Sequence, residues 1–260
     1  MKMKPSVPYL LFSVIPGMIL FYTILPGCTG TPPVKPGNGY RAGVFPGVSS
    51  GRYLSKDRAL ALALRDAARR VSFFHSVEAA ITSSEIYNPQ FRISQVNEER
   101  ELVYDTDYEK YVPFLQFDPD RDVYEEHGAL FVQALYTGET GTAAGYRRGA
   151  GTLKPSWVEH PPEETGGLLC AVGVAGSRLS YKDMVIASYE DAVCAFVKNS
   201  FSKTYASQQT GEYAMLDSSV VHISGIVKGF HVLETWRDPK SGALWTLAAA
   251  REVIRKTTEE

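Results

Sequence analysis

Oxygen ligands recur at alternate positions in Asp118-Pro119-Asp120-Arg121-Asp122, and Glu125 and Glu126 follow closely. Alternating carboxylates are what a calcium-binding loop needs. Here, however, Pro119 and Arg121 fill the spacers, no glycine stands at the sharp-turn position, and the closing bidentate carboxylate is missing. The segment therefore reads as a solvated turn leading into a strand. The histidines are His75, His127, His160, His222 and His231, without a zinc-type pair at helical spacing and without a Cys-x-x-Cys. His222 and His231 could meet on neighbouring strands, as a cross-strand polar pair. Gly-x-Ser-x-Gly and Gly-x-x-x-x-Gly-Lys are both absent. These residues assign no catalytic group, no metal site and no cofactor, and the chain reads as a non-enzyme. Tyr104, Tyr108 and Tyr111 are spaced by four and then three, which predicts one side of a core helix, with a protein- or glycan-binding face as the alternative.

The residue whose surroundings do specify chemistry is Cys28. Lys2 and Lys4 make a short basic start, an apolar run extends from about Leu10 to Ile24, and Leu25-Pro26-Gly27-Cys28 closes it. That order is the pattern of a secretory signal with a cleavage site. It resembles the lipobox of bacterial lipoproteins, in which the cysteine thiol is diacylated, the peptide is cut before it, and the freed amine is modified. The resemblance implies that residues 1–27 are a signal peptide and that Cys28 carries palmitate-type chains as the first mature residue. An uncleaved membrane anchor fits less well, because Pro16, Gly17, Pro26 and Gly27 interrupt the run. Each buried CH₂ of an acyl chain contributes about 0.8 kcal/mol, so several chains hold a protein at a membrane far better than one.

The elements that remain must form the working part. The chain is 44% apolar, ordinary for a globular protein with a core, and its net charge of −2 argues against a nucleic-acid surface. Residues 28–39 hold Pro32, Pro33, Pro36 and Gly37 and read as a stiff tether. Residues 138–153, with Gly138, Gly141, Gly145, Gly149 and Gly151, read as a linker between a first module at 40–137 and a second at 154–252, and 253–260 reads as a charged tail.

The two modules look like copies. Leu54-Ser55 leading to Arg65-Asp66-Ala67 matches Leu179-Ser180 leading to Glu190-Asp191-Ala192, 125 positions on. Gly128-Ala129-Leu130-Phe131 answers Gly242-Ala243-Leu244-Trp245, with Tyr124 and Trp236 just before. This predicts an internal duplication. Each copy starts with a strand near Arg41–Val48 or Leu168–Ala175, then a helix capped by Ser55 or Ser180. Ala59, Leu60, Ala63, Leu64, Ala67, Val71 and Phe74 give the first helix an apolar stripe, with Arg58, Arg65, Asp66, Arg69 and Arg70 largely opposite. Hairpins close each copy, over Arg121–Glu126 and Ala129–Tyr136 in the first. Ser219–Ile226, Phe230–Arg237 and Ala243–Ala250 are strands of the second. The fold class is α+β, with two related modules, each an Ala-rich helix on a small, mostly antiparallel sheet. Cys170 on a strand and Cys194 on a helix should remain free thiols. A helix packs about 10 Å from a sheet, whereas a disulfide needs Cα atoms within about 7 Å.

Lys154-Pro155-Ser156-Trp157-Val158, Ala171-Val172-Gly173-Val174-Ala175, the Ala-spaced helix, Gly225, Trp236 and Leu244-Trp245-Thr246-Leu247 together resemble the Lpp-twenty lipoproteins of bacterial outer membranes. The resemblance spans about Lys154 to Arg251. It implies an envelope lipoprotein of the outer membrane facing the periplasm, with relatives in flagellar or outer-membrane assembly, and it carries over no catalytic residue. The expected function is thus a lipid-anchored, non-enzymatic protein acting in protein contact or assembly, with envelope proteins as partners, self-association open, and no nucleic acid. The alternative is a carrier that holds a small molecule or glycan between its modules; a second is an envelope hydrolase with an unrecognised site. A continuous apolar cleft between the modules would favour the carrier, whereas flat exposed edges and self-association would favour assembly.

Overall fold

The computed structural model describes residues 41–256, except 53, 89–92, 140–144, 147–152 and 210–217. The lipobox Leu25-Pro26-Gly27-Cys28, the signal peptide, the tether, and parts of the linker and tail lie outside the described residues. In chain order the elements are β1 (Arg41–Ala42), β2 (Val44–Ser50), α1 (Lys56–His75), β3 (Val77–Asn88), β4 (Ile93–Tyr104), a 3₁₀ turn (Tyr108–Phe114) and β5 (Leu115–Gln116). Then come β6 (Val123–Glu126), β7 (Ala129–Tyr136), β8 (Gly145–Tyr146), α2 (Ser156–Glu159), β9 (Glu164–Thr165) and β10 (Leu168–Ala175). The chain continues with α3 (Tyr181–Gln209), β11 (Ser218–Lys228), β12 (His231–Arg237), β13 (Leu244–Ala250) and β14 (Glu252–Arg255). The architecture is α+β, with antiparallel sheets packed by helices.

One sheet belongs to the first segment: β7 lies between β2 on one side and β5 and β6 on the other. Another belongs to the second, in the order β12-β13-β10-β9. The third, β14-β11-β3-β4, takes two strands from each segment. At its centre β3 and β11 pair from Val77↔Val227 to Ile86↔Ser218. The described residues accordingly make a single compact unit.

Both helices start where serine can cap them. Ser55 Oγ accepts from Arg58 N at 3.4 Å, and Ser180 Oγ accepts from Asp183 N at 3.2 Å. The alanines let each helix approach its strand until backbone meets backbone. A Cβ on Gly47 of β2 would sit 2.0 Å from Ala63 O, and one on Gly173 of β10 would sit 2.1 Å from Ser188 O. Above each glycine, a helix carboxylate accepts the next amide of the strand. Asp66 Oδ2 takes Val48 N at 3.1 Å, and Asp191 Oδ2 takes Val174 N at 2.8 Å. In the long-range strand pairings, Ser49 lies opposite Leu130 in the first sheet and Ala175 opposite Leu244 in the second.

The expectation of a polar outer face on α1 holds at Arg58 and Arg65, which are exposed, and is corrected at Asp66 and Arg70. Asp66 and Arg70 are buried, and the guanidinium of Arg70 lies 4.5 Å from the Tyr189 ring centroid of α3 and 3.2 Å from Asp66 Oδ1. Helix α1 is covered on two sides, by its own sheet and by residues of α3, so its charges need buried partners. Burial pulls the Arg70 guanidinium below its usual value against the attraction of Asp66. The tyrosine stripe is corrected as well. Tyr104 ends β4, whereas Tyr108 and Tyr111 lie in the 3₁₀ turn. Asp105 Oδ1 accepts Asp107 N at 3.0 Å and turns the chain between them, so no single helix carries all three.

Candidate functional site

The residues singled out for chemistry do not converge. Asp118 to Asp122 form a turn that uses its own carboxylates. Asp118 N donates to Asp122 Oδ2 at 3.0 Å, Asp120 N to Asp118 Oδ1 at 3.0 Å, and Arg121 Nε to Asp122 Oδ1 at 3.0 Å. Among the described residues, no group of three or more His, Cys, Asp or Glu is placed to hold a metal ion. His222 pairs with Thr82 Oγ1 at 3.0 Å in the shared sheet, whereas His231 lies in the second segment's sheet with Nδ1 2.7 Å from Gly229 O. The expected His222–His231 pair does not form, because β11 and β12 diverge into different sheets. Cys170 and Cys194 are both buried free thiols, and burial pushes Cys194 up to about 11. Among the described residues no helix is long and apolar enough to cross a membrane.

What the structure does assemble is a cleft of about 390 Å³ between the two segments. Its walls are the β6–β7 and β12–β13 hairpins, one from each segment, and α3 closes one side. The β6–β7 hairpin supplies Tyr124, Glu126, His127 and Phe131. Its two-residue turn places His127 at φ 49° and Gly128 at φ 77°, both left-handed, which is the tight-hairpin geometry that keeps these side chains together. The β12–β13 hairpin supplies Thr235, Arg237, Asp238 and Leu244. Asp238 holds that turn closed, accepting from Lys240 N at 2.9 Å and Ser241 Oγ at 2.6 Å. Helix α3 contributes Tyr181, Val185 and Tyr189, four residues apart and therefore on one stripe. Tyr146 of β8, buried within the expected linker, completes the lining by hydrogen bonds with Thr235 and Tyr124.

The cleft is aromatic and polar at once. Tyr124 stacks on Phe131 with ring planes 4° apart and centroids 5.1 Å apart. The Tyr181 ring meets His127 edge-on at 4.7 Å, and the Arg237 guanidinium lies 5.6 Å from its centroid. Glu126 hydrogen-bonds the Tyr181 hydroxyl. Burial raises the Tyr146, Tyr181 and Tyr189 phenols far above their ordinary value, so all three remain neutral donors at any physiological pH.

No protein-family model, no curated protein and no solved structure matches this chain. The lipobox and Lpp-twenty resemblances therefore rest on the residues quoted for them. The cleft residues were half visible in the sequence. Tyr124, Trp236 and both hairpin turns stood out as repeat markers, not as a binding site. Tyr181 and Tyr189 were missed, although their spacing with Val185 was the available signal. Tyr146 stood among glycines and looked like linker.

Proposed function

We propose that this chain is a lipid-anchored lipoprotein of the bacterial envelope that works by holding a ligand in the cleft between its two segments. The observation that supports this most is the cleft itself. One hairpin from each segment and one stripe of α3 converge on a concave, aromatic-lined space with a few polar groups, which is the general form of a small-molecule site. The anchor rests on Leu25-Pro26-Gly27-Cys28 and the basic-then-apolar residues before them.

The assembly reading has less behind it. Strand addition needs an open edge, and β4 at the rim of the shared sheet carries exposed Glu99, Arg100 and Glu101. Charges on an edge strand oppose pairing with another chain. At the rim of the second segment's sheet, β9 has only two residues.

Two measurements test the proposal. Cys28→Ser should abolish metabolic fatty-acid labelling and leave an uncleaved precursor; label that persists on this variant refutes the anchor. The full chain should show a ligand-dependent rise in melting temperature against a broad metabolite library, and Tyr181→Ala should remove it. If no compound shifts the melt while in-cell crosslinking captures a protein at the β4 edge, the assembly reading replaces this one.

A further inference from the structure

Resting on the cleft reading, we infer that the ligand is a neutral saccharide. The charge arrangement decides between ligand classes. Glu126 and Arg237 flank the same ring, that of Tyr181: one hydrogen-bonds its hydroxyl, the other lies against its face. A cationic ligand would seek that aromatic face by cation–π attraction, but Arg237 already occupies it and would repel a second cation. An anionic ligand would meet two carboxylates of the lining, Glu126 and the Asp238 held in place by its turn. A purely apolar ligand would offer no acceptor to the Arg237 guanidinium, which carries more N–H donors than its one contact with Gly242 O uses.

A sugar avoids all three conflicts. It has no net charge. The C–H faces of its ring are apolar and flat enough to lie against Tyr124 or the face of Tyr181 opposite Arg237, gaining dispersion contacts. Its rim of hydroxyls both donates and accepts, so it can answer an acceptor and a donor in the same site. Glu126 is the acceptor. Arg237 is the donor: its guanidinium carries five N–H groups, and its Nε reaches Gly242 O at 3.4 Å. The hydroxyl chain from Thr235 through Tyr146 to Tyr124 adds groups that can serve in either role. The volume of about 390 Å³ lies within the range of about 300–1,000 Å³ found for ligand pockets.

The test uses the full lipidated chain in a detergent without a sugar headgroup. Cellobiose, chitobiose, lactose and maltotriose are screened by saturation-transfer NMR and titration calorimetry, beside glucuronic acid, glucosamine and a set of nucleosides. At least one neutral saccharide should bind, and bind at least tenfold more tightly than the acidic and basic sugars. Tyr181→Ala should weaken it at least tenfold. Tyr181→Phe, which keeps the ring and the packing, should weaken it only a few-fold, so a binding loss from misfolding is separated from loss of the stacking face. The inference is overturned if none of the neutral sugars binds, if charged sugars bind as well, or if a folded Tyr181→Ala protein binds unchanged. A nucleoside that alone binds, and is lost in Tyr181→Ala, overturns the saccharide class and leaves the cleft reading standing. Silence from every compound overturns the saccharide class, and the cleft reading falls with it only if the broad metabolite library also leaves the melt unshifted.

Discussion

At the scale of single residues, the fold depends on a contact made twice. A glycine lets a helix backbone touch a strand, and an aspartate one turn away ties the strand amide down. The glycine has no freedom to grow. In Gly173→Ala the new methyl would lie 2.1 Å from Ser188 O and 2.3 Å from Ala192 N, both backbone atoms that cannot swing aside. Overpacking of this kind costs about 1–3 kcal/mol. For a domain of this size that lowers the melting temperature by roughly 2–4 °C per kcal/mol. Gly176→Ala is the control: nothing lies within 4 Å of its Cβ position, so its thermal melt should be unchanged. Asp66→Ala should cost more. It removes the acceptor of Val48 N and leaves the Arg70 guanidinium, 2% exposed, without its counter-ion. Breaking a buried pair by deleting one partner costs about 3–5 kcal/mol, which urea unfolding would measure. A melt of Gly173→Ala matching that of Gly176→Ala would show that the helix is not seated on its strand as described.

At the scale of elements, the strand that opens the β12–β13 hairpin carries a proton-linked weakness. His231 is 4% exposed, and its burial, with Arg251 nearby, lowers it to about 4. The folded state therefore resists protonation while the unfolded chain titrates near its ordinary value of about 6.5. The resulting stability is complete above pH 6.5 and is lost as pH falls from about 6.5 towards 4. The full loss is on the order of 3 kcal/mol. Other groups move in the same direction: His75 is lowered by burial, and Glu98 by the hydrogen bonds of Lys198 and Arg100 against its own burial. Urea midpoints at pH 7.0 and pH 4.5 should therefore be compared for the natural chain and His231→Gln. The variant should lose less between the two pH values; equal losses would show that His231 charges as easily folded as unfolded. Elements with strong local signals were legible in advance. The capped, Ala-striped helices and the strands β7 and β10 agree with expectation, because periodicity and turn chemistry act locally. The β3–β4 hairpin was not legible. Its strand β3 also pairs with β11, a partner more than a hundred residues away that no local pattern announces.

At the scale of the whole molecule, the two segments cannot be independent folding units even where their local contacts correspond. The pairing of β3 with β11 runs from Val77↔Val227 to Ile86↔Ser218 and forms the middle of a sheet, not its rim. Removing either segment would turn that middle into an open edge of unpaired amides and carbonyls, a template for aggregation. It would also uncover Arg70 and Phe73 on the first segment, which pack against Tyr189 and Phe230 of the second. The sequence boundary at 138–153 suggested two bodies because glycine density is a local property, whereas strand exchange between segments leaves no mark in composition. Residues 40–146 and residues 154–260, produced separately, should each lack dispersed NMR amide signals and should aggregate at micromolar concentration. Produced together, they should recover a soluble complex whose melt approaches that of the full chain, since the β3–β11 ladder and the apolar core behind it can form between two chains as within one. The cleft exists only when that complex forms, because its two hairpin walls come from different segments. A cooperative melt from either segment alone would show that the shared sheet is dispensable, and with it the reason the two hairpins face each other at a fixed distance.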